Sequence, residues 1–130
     1  MSAEEHQLAK GHHILVVEDE AMIAMLIEDM LRDLGSTPIG PAYTAEQALE
    51  LISAERIDAA ILDINLDGQR TDFVAATLLS KNIPFLFASG YASAGIDKLF
   101  SGQLVLTKPF KQSELERALK RLLPSPEGTS

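Results

Sequence analysis

The segment Ala59-Ala60-Ile61-Leu62-Asp63 constrains this chain more than any other. Four consecutive apolar residues run up to one acid. The run is too short for a helix and too apolar for a strand with one wet face. It predicts a central strand covered on both sides, with Asp63 at its C-terminal end. In open α/β sheets, ligands bind at that edge, where neighbouring strands diverge.

The rest of the chain repeats the theme. Ile14-Leu15-Val16-Val17 reads as a first strand, stopped by Glu18-Asp19-Glu20. A helix is expected over about 20–34, with Ile23, Leu26, Ile27, Met30, Leu31 and Leu34 inward and Gly35 as its stop. Met22, Met25 and Met30 are expected to pack that helix. Ser36 to Ile39 predicts a short strand closed by Gly40-Pro41. Thr44 and Gln47 have capping-box spacing ahead of a second helix that buries Ala45, Ala48, Leu49 and Ile52. A third helix is expected from Thr71 or Asp72, using Phe73, Val74, Ala76, Thr77 and Leu78. Phe85-Leu86-Phe87-Ala88 follows Pro84 as a fourth strand, with Phe85 and Phe87 in the core. A short helix is expected around Ile96, Leu99 and Phe100. Leu104-Val105-Leu106 is the fifth strand. A last helix carries Leu115, Ala118, Leu119 and Leu122, and Ser113 with Glu116 is its expected capping box. Strands alternating with helices imply an α/β fold with a doubly wound, five-stranded parallel sheet.

Composition narrows the function. The 130 residues suit one domain, and the net charge of −8 argues against nucleic acid or an anionic membrane surface as a direct partner. Absence of cysteine excludes disulfides, thiol catalysis and thiolate metal sites. No apolar run approaches the length of a membrane span, and the acidic start lacks a signal-peptide core, so a cytoplasmic location is expected.

The polar residues that follow the strands form a set. Glu18 and Asp19 follow the first, Asp63 ends the third, Ser89 follows the fourth and Lys108 the fifth. In a parallel sheet of order 2-1-3-4-5 these ends share one edge, and the first and third strands are neighbours about 5 Å apart. Three carboxylates so close need a cation among them, and a hard divalent ion such as Mg²⁺ suits oxygen donors. A carboxylate can attack phosphorus when metal and ammonium absorb charge on the transferring oxygens. Asp63 is the candidate nucleophile. Asp19 is the expected direct metal ligand, Glu18 a ligand through water, and the Asn65 backbone carbonyl a third protein ligand. Lys108 and the Ser89 hydroxyl are candidates to hold phosphoryl oxygens.

At these residues the sequence resembles the receiver domain of two-component response regulators. The resemblance spans about residues 13–122 and rests on Val-Val-Glu18-Asp19, Leu62-Asp63, Ser89-Gly90 and Lys108-Pro109-Phe110, in that order. It implies a flavodoxin-like receiver fold over 12–123; the polar residues 1–11 are expected to be a flexible arm, and the Pro- and Ser-rich residues 124–130 a disordered tail. The resemblance also implies a cis Lys108-Pro109 bond and phosphotransfer to Asp63, with Mg²⁺, from a histidine kinase or phosphotransfer protein. Output would run through altered protein–protein contacts, or the domain would act as a phosphate sink. Pro84-Phe85-Leu86-Phe87-Ala88-Ser89-Gly90-Tyr91 is similar to the subgroup named for Phe-Ala-Thr-Gly-x-Tyr, often linked to HWE-type kinases. Ser replaces Thr here, and Tyr91 directly follows Gly90. Val105 stands where many receivers carry an aromatic ring, which places the expected switch on Ser89 and the Gly90–Gly102 segment. Asn65 and Tyr91 flank the expected path of attacking water.

Blander readings exist for some of these residues. Glu18-Asp19-Glu20 alone would suit any helix N-terminus. His12 and His13 enter the first strand at the edge away from the acids and are not expected to be functional. A small Mg²⁺-dependent phosphohydrolase is the alternative function. The haloacid dehalogenase pattern, however, wants an acid two residues after the nucleophile, where Asn65 stands. A receiver that binds partners without phosphorylation is the third reading, and the intact acids and Lys108 speak against it.

Overall fold

A computed structural model describes residues 11–64, 71–90 and 102–123. Its elements run β1 (His13–Val17), α1 (Ala21–Asp33), β2 (Thr37–Ala42), α2 (Ala45–Ala54), β3 (Ala59–Asp63), α3 (Thr71–Ser80), β4 (Phe85–Ser89), β5 (Leu104–Thr107) and α4 (Gln112–Leu122). The five strands form one sheet of order β2-β1-β3-β4-β5, and every pairing is parallel. The expected arm as far as residue 10, the tail, and the helix expected around Ile96 fall outside the described residues; Gly11, counted in the arm, is described, and its N–H donates to the Gly35 carbonyl at 3.1 Å.

Strand alternation builds the two cores. Side chains of a strand point to opposite faces in turn. Ile14, Val16, Ala59, Ile61, Leu86 and Ala88 pack on one side with Ala24, Ile27 and Leu31 of α1 and Leu115, Ala118 and Leu119 of α4. Leu15, Val17, Ala60, Leu62, Phe85 and Phe87 pack on the other with α2 and α3. Phe85 and Phe87 meet edge to face, their ring centres 5.5 Å apart.

Several local expectations are corrected. Gly40-Pro41 does not close β2; the strand runs through it to Ala42, with the Gly40-Pro41 bond cis and an irregular register opposite Leu15 and Val17. Gly40 has φ +105°, and a Cβ there would sit 2.8 Å from the Ala42 nitrogen, so only glycine fits this bend. In α1, Met22, Met25 and Leu26 are exposed rather than packed. The apolar stripe is wider than the face the sheet covers. In α3, Ala75 is buried while Phe73 and Ala76 face out. That helix is apolar nearly all round, so periodicity sets its phase only weakly.

The caps also differ in detail. Thr44 Oγ1 accepts from the Gln47 N–H as expected, but the Gln47 side chain returns to the Tyr43 N–H. The expected Ser113–Glu116 pair is displaced by two residues. Glu114 Oε1 instead accepts the Lys111 N–H at 2.7 Å, because α4 begins at Gln112. Gly35 closes α1 with φ +89°, as its position predicts.

Candidate functional site

The alternation that sorts the core also sorts the site. Continuing the phase of Ile14 and Val16 leads to Glu18. Ala59 and Ile61 lead to Asp63, and Leu104 and Leu106 lead to Lys108. All three therefore emerge on the α1 side of the C-terminal sheet edge. Register brings them level, with Val17 beside Leu62 and Asp63 beside Ala88.

Carboxylate oxygens of Glu18, Asp19 and Asp63 lie within 4.8 Å of one another. Glu18 and Asp63 are buried, and Asp19 is half-buried. Lys108 Nζ stands between two of them, 2.6 Å from Glu18 Oε1 and 3.4 Å from Asp63 Oδ1. The other Glu18 oxygen accepts the Glu20 N–H at 3.1 Å, so Glu18 is held at both oxygens. Burial pulls the Lys108 ammonium down. The hydrogen bond to Glu18 and the charges of Asp63 and Glu18 more than offset that, and leave it above its ordinary value of 10.5.

Ser89 ends β4 and is fully buried. It pairs in register with Thr107, and its carbonyl accepts the Lys108 N–H at 2.7 Å, which ties the end of β4 to the lysine's backbone. The Lys108-Pro109 bond is cis, as expected. Asn65 and Tyr91 lie outside the described residues. His12 and His13 sit at the opposite edge, where the His13 N–H donates to Asp58 Oδ2 at 2.7 Å. Neither belongs to a candidate metal group among the described residues.

A cavity of about 410 Å³ opens beside the acids. Ile23, Ile27, Met30 and Phe110 give it apolar walls, and Asp63, Lys108 and Gly90 stand at its polar end. Sequence reasoning also missed Thr71. Its buried hydroxyl donates to the carbonyls of Asp63 and Ile64, at 3.0 and 3.1 Å. A polar first residue of a helix gives no sign of which carbonyl it will meet.

Comparison with known proteins decides the family. The model of the response regulator receiver domain matches residues 14–120. The chain belongs to the response regulator receiver family. This receiver is 41% identical to SdrG from Sphingomonas melonis Fr1, whose solution structure superposes with a TM-score of 0.76 over 86% of this chain and 95% of that one. It is 29% identical to the receiver domain of sensor histidine kinase PA1611 from Pseudomonas aeruginosa PAO1, with a TM-score of 0.76 over 86% and 97% of the two chains. That structure has a magnesium ion coordinated in its active site cleft. Among curated proteins, the receiver is 36% identical over 128 residues to the transcriptional regulatory protein YvrH of Bacillus subtilis, covering 90% of this chain and 53% of that protein. It spans about half the length of the curated relatives it matches. No described helix is long and apolar enough to cross a membrane.

Proposed function

We propose that this receiver takes a phosphoryl group onto Asp63 from a histidine kinase or from a phosphotransfer protein; the likeness of Pro84–Tyr91 to the Phe-Ala-Thr-Gly-x-Tyr subgroup is what favours a kinase of the HWE type. The observation that carries the reading is the meeting of three carboxylates within 4.8 Å with Lys108 between two of them. An oxygen-only donor set of this charge fits a hard divalent cation. Glu18, Asp19, Asp63 and the Asn65 carbonyl are the residues to hold Mg²⁺. Bound there, Mg²⁺ supplies positive charge to the oxygens of the phosphoryl group.

Asp63 forms the new bond to phosphorus as the bond to the donor's imidazole nitrogen breaks, and the electron pair leaves with that nitrogen. Lys108 pairs with one phosphoryl oxygen and the Ser89 hydroxyl donates to another. The chemistry is confined to the domain's own phosphorylation and dephosphorylation. Its output is a change in the protein contacts made by its surface, or the draining of phosphate from a kinase. With a histidine kinase as donor, the cytoplasm is the proposed place of action. The test is phosphotransfer from candidate kinases to the wild type and to Asp63→Asn, with Mg²⁺ and with a chelator. Label is expected on the wild type alone and only with Mg²⁺. Label retained by Asp63→Asn removes Asp63 as the acceptor.

A further inference from the structure

Thr71 is the first residue of α3, and its side chain turns back toward the sheet. A threonine hydroxyl that accepts an N–H of the first turn sits one residue earlier, before the helix. Here the hydroxyl, on a residue only 6% exposed, reaches back to β3 and lies 3.0 Å from the Asp63 carbonyl and 3.1 Å from the Ile64 carbonyl. It has one proton, shared between two consecutive oxygens. From the other side, the Ile64 N–H donates to the Ala88 carbonyl at 3.1 Å. The peptide that carries Asp63 is thus gripped by β4 and by α3 together.

We propose that Thr71 is a positioning residue for the acid cluster. It fixes the Asp63–Ile64 backbone, so that the Asp63 carboxylate stays where it shares a cation with Glu18 and Asp19. The inference rests on the reading of those acids as a Mg²⁺ site. A carboxylate ligand is only as well placed as the groups that orient it; a lost partner of the ligating group itself lowers metal affinity about 10- to 100-fold, and Thr71 orients the backbone that carries that group. Thr71→Val keeps the shape and removes the proton; Thr71→Ser keeps the proton.

The test is Mg²⁺ titration of the folded proteins with no phosphodonor, read by calorimetry and by the Mg²⁺-dependent rise in Tm. Thr71→Val is expected to bind about 10-fold or more weakly. Thr71→Ser is expected to bind within ~3-fold of the wild type, well inside the loss seen for a missing support. If Thr71→Val does not fold, Thr71→Ala carries the same expectation. A lower Tm with unchanged Mg²⁺ affinity in the Val or Ala variant overturns the proposal and leaves the site intact. A wild type that takes up no Mg²⁺ overturns the cation site and this proposal with it.

Discussion

Lys108 Nζ lies 2.6 Å from Glu18 Oε1, and Glu18 is 1% exposed. The lysine therefore neutralises a carboxylate that has almost no water of its own. Removing one partner of a buried pair leaves the other charge uncompensated. Lys108→Met is expected to lower unfolding free energy by about 3 kcal/mol in Mg²⁺-free buffer, at the low end for such pairs because the lysine retains some exposure. The sign of the pH dependence follows from the raised pKa. The pairing contributes fully below the ordinary lysine value of 10.5 and is lost only as pH climbs through the raised one. Urea titrations at pH 7 and 9 should give the same difference between variant and wild type.

Asp63→Asn works in the opposite direction. Asp63 shares its surroundings with two other carboxylates and one ammonium. Like charges about 4 Å apart repel by ~1 kcal/mol even in high dielectric, and by more when half-buried. Without divalent ions the variant is expected to be more stable than the wild type by about 1 kcal/mol. It should also lose most of the Tm increase that Mg²⁺ gives the wild type. Scanning calorimetry with and without MgCl₂ checks both, and an unchanged or lower Tm in the absence of metal contradicts the electrostatic account.

The strands were legible as short apolar runs, each followed by a polar residue, and a period of two then places Glu18, Asp63 and Lys108 on one face. Once Ile61 is core, Asp63 falls on the same face two residues on, and Val16 and Leu106 place Glu18 and Lys108 alike. Helix faces were read less well. Met22, Met25 and Leu26 have the spacing of a packed stripe, yet the sheet is too narrow to cover them. Nothing in the pattern around Glu28 marks it as buried, although it is. Thr71 was legible only as a helix start, since a contact across eight residues depends on where α3 begins.

The helix α1 offers a direct check on that difference. Leu26 is 58% exposed and its neighbour Ile27 is 2% exposed. Leu26→Gln is expected to change stability by no more than ~0.5 kcal/mol, as for other surface replacements. Ile27→Ala removes side-chain volume from the core shared with Ile14 and Ile61, and is expected to cost ~2–5 kcal/mol. Chemical denaturation of the two variants decides whether the packed face of α1 is assigned correctly.

Glu28 supplies a prediction of a different kind. Burial raises its pKa above the ordinary 4.5, the negative charge of Asp29 adds to the rise, and Arg32 opposes it. Arg32 is engaged elsewhere, donating to Asp29 Oδ1 at 3.1 Å. A raised carboxyl means that the folded state binds its proton more tightly than the unfolded chain. Stability then falls as pH rises from about 4.5 through the raised value, and above it the cost of the buried charge is fully present. Glu28→Gln removes the charge and nearly keeps the shape. The variant should melt higher than the wild type at pH 7, and the gap should close toward pH 4, where the wild-type carboxyl is itself neutral. Melting curves of both proteins across that range measure the gap, and a difference that stays constant with pH would assign the effect to packing rather than to the buried charge.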